Sequence, residues 1–240
     1  MTTSNPSAAE TYYMAGLKAF EQKDLHNAFA LFLSAAENGF ADAQFRIGVF
    51  YYHGIVAPKS KKDALKWFRR AALQHCIPAM SELGTMYAEG DGTQRSPEKA
   101  FEWTKAAADE GHPPAICNLA SLYETGTGTE KNMKLAVRLY EKAADLKVPQ
   151  ACYCLAHLCH EGEGTRKDPS RAARLCRKAA DLGYKDAVYD TAILYYEGDG
   201  VEKDDTVALT YFEKALGLGF AEARNYIAEI KNRSKTRGAE

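Results

Sequence analysis

A step of 36 residues governs this chain. Ala35, Ala71, Ala107, Ala143, Ala179 and Ala215 stand 36 positions apart, and so do Ala43, Ala79, Ala115, Ala151, Ala187 and Ala223. The same step links Gly54, Gly90, Gly126, Gly162 and Gly198, and a second glycine follows at Gly92, Gly128, Gly164 and Gly200. A sequence that repeats without gaps is one supersecondary unit stacked on copies of itself, so a tandem array is expected, each unit burying its apolar face on its neighbours.

The parts of the unit read as a helical hairpin. A first helix, A, spans about Ala43 to His53 and ends at a glycine able to take the left-handed conformation of a helix C-terminus. Ser60, Ser96, Asn132, Asp168 and Asp204 then occupy one repeat position. All are short polar side chains that can accept from the free N–H groups of a following helix. Pro97 and Pro169 sit directly after two of them, where a missing N–H is harmless. The second helix, B, carries stripes such as Ala64, Trp67, Phe68 and Ala71, or Ala136, Leu139, Tyr140 and Ala143. Alanine recurring at fixed places implies close helix contact there, since a larger side chain would overpack. The first unit is shorter, with 12 residues from Gly16 to Ala28 against 16 from Gly48 to Ala64, and forms a tight turn. At the far end "AEARNYIAEIKNRSKTRGAE" starts a further helix whose charged residues suit a polar cap. The expected organisation is a flexible tail over 1–10, a solenoid over 11–230 (a short unit 11–38, five units over about 39–218, a capping helix 219–230) and a basic flexible tail over 231–240.

Candidate chemistry is sparse. In "ETGTGTEK" the glycines follow an amphipathic helix, not a strand, and no Lys-Ser/Thr pair completes a phosphate loop. Cys152, Cys154, His157, Cys159, His160 and Cys176 suggest a metal, but on a helix 152 and 159 share one face and 157 and 160 another, so they do not converge on a tetrahedral centre. No metal site, cofactor or catalytic residue is expected. "EGDGVEKDD" lacks the spacing of a calcium loop, and "KNRSKTR" has four cations in seven residues, which suits a helix C-terminus. A net charge of −1 over 240 residues offers no bulk attraction to nucleic acid. With no basic-apolar leader and no membrane-length apolar run, a protein of the cytoplasm, a reducing compartment, is expected, with no membrane insertion.

The units "AQFRIGVFYYHG…DALKWFRRAA", "AMSELGTMYAEGDG…EKAFEWTKAA", "AICNLASLYETGTG…KLAVRLYEKAA", "ACYCLAHLCHEGEG…RAARLCRKAA" and "AVYDTAILYYEGDG…VALTYFEKAL" resemble Sel1-like repeats, a branch of the tetratricopeptide superfamily. Val56 departs from the pattern by standing where a second glycine belongs, as do Cys159 and Cys176 at aromatic positions. The resemblance implies an all-α, right-handed α-solenoid of antiparallel helix pairs, whose A helices line a concave groove that binds other proteins or peptide segments, as an adaptor or scaffold and as a monomer. A cysteine-rich branch of the family pairs two cysteines per unit; the corresponding places here are Ala144 and Cys152, so that bridge is not expected.

In the tetratricopeptide frame the inward A-helix positions are Tyr13, Leu17 and Phe20; Phe45, Val49 and Tyr52; Ser81, Thr85 and Ala88; Cys117, Ser121 and Glu124; Tyr153, His157 and His160; and Tyr189, Ile193 and Tyr196. Tyr13, Phe20, Phe45, Val49, Tyr52, Tyr153, His157, His160, Tyr189, Ile193 and Tyr196 are the candidate partner-binding residues, because aromatic side chains spare from packing make good anchors. The paired Lys and Asn of chaperone-binding relatives are not reproduced, Asn118 standing alone. Two other functions fit helical repeats of this length: RNA binding, which the charge opposes, and a hydrolase activity of the kind proposed for cysteine-rich relatives, for which no nucleophile stands out.

Overall fold

A computed structural model describes residues 7–237, with side chains through Ser234, and among these residues the regular structure is entirely helical. The chain forms two compact units, one running to Leu122 and including Gly126–Glu130, the other made of Tyr123–Thr125 and the chain from Lys131. The first unit holds α1 (Ala8–Glu21), α2 (Leu25–Glu37), α3 (Ala41–His53), α4 (Lys61–Ala72), α5 (Ile77–Glu89), α6 (Pro97–Asp109) and most of α7 (Pro113–Thr125). The second holds α8 (Met133–Asp145), α9 (Pro149–Glu161), α10 (Pro169–Asp181), α11 (Lys185–Glu197), α12 (Asp205–Gly217) and α13 (Ala223–Arg237). Odd-numbered helices are A and even-numbered ones are B. Within the first unit α1 pairs with α2, α3 with α4 and α5 with α6, and α2 and α4 also pack on the A helix that follows; in the second, each of α8 to α12 packs on the next helix.

Local chemistry starts and stops each helix. Ser60, Ser96, Asn132, Asp168 and Asp204 all cap B helices, each accepting from an N–H in the first turn. Gly54, Gly90, Gly126, Gly162 and Gly198 close the A helices in the left-handed conformation. The capping residue's own N–H then returns to the A helix, Ser60 to Tyr51 O at 2.9 Å and Asp204 to Tyr195 O at 2.9 Å, which folds the loop back and fixes where B begins.

The second glycine of each loop does something different from stopping a helix. A Cβ on Gly200 would lie 2.1 Å from Pro169 O, and one on Gly128 2.0 Å from Pro97 O. The loop lies directly on the first turn of the preceding repeat's B helix, so this row seats one repeat on another. Val56 takes its place with φ 66°.

The turn from B to the next A helix is a Schellman motif. Tyr184 N–H bonds to Ala179 O at 2.9 Å and Gly183 N–H to Ala180 O at 3.0 Å. The left-handed residue is Gly39, His75, Gly111, Lys147, Gly183 or Gly219 in successive repeats. Nothing stands within 4 Å of a Cβ at Gly183, which explains why His and Lys are accepted at its equivalents.

Alanine marks the tightest contacts. Ala43, Ala79, Ala115, Ala151, Ala187 and Ala223 are fully buried, as are Ala35, Ala71, Ala107, Ala143, Ala179 and Ala215. Opposite the A helices, one B-helix position carries the largest core side chains: Phe32, Phe68, Tyr140 and Phe212.

The ends differ from the boundaries drawn on sequence. Helix α1 begins at Ala8, not 11, because Ser7 and Glu10 form a capping box: Ser7 Oγ accepts from Glu10 N at 3.2 Å and Glu10 Oε2 from Ser7 N at 2.8 Å. Helix α13 runs past 230 to Arg237, and its cations make contacts: Lys231 Nζ lies 2.9 Å from Glu213 Oε1, and Arg233 reaches Asp205 and Tyr196. Of the tails expected to be flexible, 1–6 and 238–240 lie outside the described residues, while 8–10 and 231–237 are helical.

Candidate functional site

The A-helix residues expected to face a groove are tied across repeats. In the first unit Tyr52 Oη donates to Asp91 Oδ2 at 2.9 Å, across 39 residues, and Lys61 pairs with the same carboxylate while lying 5.6 Å over the Tyr52 ring. Burial, with the Asp91 hydrogen bond next, pushes the Tyr52 phenol up to about 12. Phe45 packs its ring 5.6 Å from Phe68 beside a half-buried Val49, and Tyr13 lies 4.7 Å from Phe40 and 5.7 Å from Phe32. Phe20 is exposed at the end of α1, with Arg46 5.9 Å above its ring. Ser81 and Cys117, expected in the groove's middle, are buried.

The second unit repeats the device with different residues. Tyr153 Oη donates to Asp190 Oδ2 at 2.8 Å, and its ring packs 4.5 Å from His157 and 4.8 Å from Tyr184. His160, at the repeat position of Tyr52, has Nε2 2.8 Å from Asp199 Oδ2 and Nδ1 2.9 Å from Glu161 Oε1. A carboxylate at each ring nitrogen favours the imidazolium, so those hydrogen bonds, Glu161's foremost, raise the His160 pKa. Tyr189 stacks on Phe220 at 5.3 Å, and Tyr196 packs against Tyr226 and Phe212 with Arg233 4.8 Å over its ring. His157 is exposed and Ile193 half-buried.

The tyrosines are therefore not spare from packing: Tyr13 packs within its own repeat, whereas Tyr52, Tyr153, Tyr189 and Tyr196 also reach the next. Of the partners that tie them, Asp199 is read in the sequence only as part of the acidic loop, and Asp91 and Asp190 are not singled out there. A signal existed, since Asp91 and Asp199 share one repeat position, directly after the loop's first glycine.

Between α9, α10 and α11 lies a pocket of about 330 Å³. Ala156, Ala172, Cys176, Ile193 and Leu194 contribute its apolar wall, and His157, His160, Glu161, Asp190, Glu197 and Asp199 its polar one. Cys176 is buried, and burial pushes its thiol up to about 11. Burial raises Cys76, Cys152, Cys154 and Cys159 as well. Nucleophilic and metal-binding thiols need the opposite shift. None of the six cysteines forms a disulfide, and no cluster of three or more His, Cys, Asp or Glu side chains suited to a metal occurs among the described residues.

With the repeat geometry in place, comparison with known proteins is decisive. The Sel1 repeat model matches residues 8–40, 41–76, 77–112, 113–148, 149–184 and 185–220. The chain belongs to the Sel1 repeat family. Its fold is that of Sel1 solenoids of known structure. It is 27% identical to a protective antigen of uropathogenic Escherichia coli with an SLR fold, at a TM-score of 0.84 over 94% of this chain and 49% of that one. It is also 27% identical to a Sel1 repeat protein of Oxalobacter formigenes, at 0.83 over 93% and 66%. Among curated proteins it matches the chitin synthase regulator SKT5 of Saccharomyces cerevisiae, 38% identical over 61 residues, which are 25% of this chain and 9% of that protein. The chain thus spans about half the length of the first structural relative and under a tenth of the curated one. No helix among the described residues is long and apolar enough to cross a membrane.

Proposed function

We propose that this Sel1 repeat protein is a non-catalytic adaptor that binds partner proteins or peptide segments on the surface formed by its A helices. The observation that carries this is the cross-repeat tying of that surface. Tyr52 to Asp91 in the first unit, and Tyr153 to Asp190 and His160 to Asp199 in the second, hold polar and aromatic side chains in fixed positions, with exposed His157 against the Tyr153 ring. A surface ordered before binding loses less entropy on association. Thiols raised by burial offer no nucleophile, which favours an adaptor over a hydrolase. Six cysteines without a disulfide suit a reducing compartment such as the cytoplasm, and a monomer is the form that leaves the A-helix surface open.

The test must spare the tyrosines, whose removal would loosen the repeats. A photo-crosslinking residue placed at His157 should capture a partner, and the same residue at Lys134 or Lys167 should not. His157→Ala with Ile193→Ala should weaken the captured partner at least about tenfold, roughly 1.4 kcal/mol, with melting little changed. Capture from Lys134 or Lys167 alone would place the binding surface on the B helices or loops and end the proposal.

A further inference from the structure

One B-helix position explains why a pocket lies beside Cys176. Stepping by 36, it holds Phe32, Phe68, Thr104, Tyr140, Cys176 and Phe212. Where an aromatic ring is present it fills the space beneath the A helix: a Cβ on Gly48 would meet the Phe68 ring at 2.5 Å. Thr104 is also short, but glycine faces it, and the backbones close up, so that a Cβ on Gly84 would lie 3.1 Å from Thr104 N. Ala156 and Cys176 do neither. Both residues instead line the pocket between α9, α10 and α11.

The lining of that space is two-sided. Its floor, with Ala156, Cys176 and Leu194, is apolar, whereas Glu161, Asp190, Glu197 and Asp199 stand around it. No Lys or Arg lines it among the described residues. Even with His160 charged, carboxylates outnumber cations. A guest that satisfies both parts has an apolar stem and a cationic head that pairs with the carboxylates.

Resting on the adaptor reading above, we infer that this pocket takes a long cationic side chain, arginine or lysine, from a basic segment of the partner protein. The stem lies along Ala156 and Cys176, and the head meets the carboxylates of Asp190, Glu197 and Asp199. In the following repeat the buried Phe212 ring packs against Tyr189 and Tyr196 at the corresponding place, so the inserted side chain sets the register of the partner along the second unit.

Amide chemical shifts of the full chain, titrated with the blocked peptide Gly-Ala-Arg-Ala-Gly and its citrulline counterpart, test this. The arginine peptide should shift α9, α10 and α11 amides saturably, and the neutral citrulline peptide should bind at least about tenfold more weakly. Glu197→Gln with Asp199→Asn should remove most of that preference. Cys176→Phe should abolish the shifts while the protein still folds, because Phe212, at the equivalent position, is fully buried in a hairpin whose A helix carries Ala192 where α9 carries Ala156. Equal binding of the two peptides, retained binding in Cys176→Phe, or saturable shifts of the same residues by zinc ion but not by the arginine peptide would overturn the proposal. A partner cross-linked at His157 whose affinity is unchanged by Cys176→Phe would overturn the pocket but leave the adaptor reading standing. Arginine-peptide binding without any cross-linked partner would do the reverse.

Discussion

Two glycines in the second unit look alike in sequence and differ in what holds them. Gly200 and Gly183 both have positive φ, +70° and +89°. A Cβ on Gly200 would strike Pro169 O at 2.1 Å, a backbone atom that cannot swing away, whereas at Gly183 nothing lies within 4 Å. Gly200→Ala should therefore destabilise by more than about 2 kcal/mol, combining left-handed strain with a backbone clash, and Gly183→Ala by about 1 kcal/mol from strain alone. The converse substitutions sharpen this: His75→Gly and Lys147→Gly, at φ 62° and 61°, should each raise stability by about 0.5 kcal/mol, strain relief exceeding the glycine's entropic cost. Urea midpoints of the four variants check the order, and a Gly200 variant no worse than the Gly183 one would show that the loop does not seat one repeat on another. Sequence marks both positions as turns; the carbonyl that separates them belongs to a residue 31 positions away.

At the scale of the helix, alanine decides how close two elements come. Ala115 is fully buried on α7, as its equivalents are on α3, α5, α9, α11 and α13. Ala115→Leu adds three carbons where backbones already meet, so it should destabilise by about 1–3 kcal/mol without lowering helicity in the folded state. Circular dichroism with urea denaturation measures both, and unchanged stability would mean that α7 has room there. The helices themselves were legible, because a cap, a left-handed stop and an apolar stripe lie within one stretch of sequence. The N-terminal boundary was equally legible in Ser7 and Glu10, an S-x-x-E box. The end of α13 was not, because its basic last turns are held by Glu213, Asp205 and Tyr196, which come from α11 and α12.

For the molecule as a whole, charge settles which partners are attracted at a distance. Basic and acidic side chains number 31 and 32, and those of the C-terminal run that the structure describes are spent on intramolecular pairs. Binding to single-stranded RNA at about 0.15 M salt should accordingly be undetectable by mobility shift, and a tight, steeply salt-dependent complex would favour the RNA-binding alternative instead. The repeat step, the hairpin order and the alanine contacts were all determined by sequence alone, since each depends on groups a few residues apart and recurs until chance is excluded. The candidate surface was only half determined. Sequence placed Tyr153, His157 and His160 on one helix face, but their attachment to Asp190 and Asp199 depends on how two helices from successive repeats are rotated and spaced. The same holds for the pocket: the loss of an aromatic at Cys176 is visible in the sequence, but whether the helices collapse, as at Thr104, or leave a cavity is a packing outcome that only the tertiary structure decides.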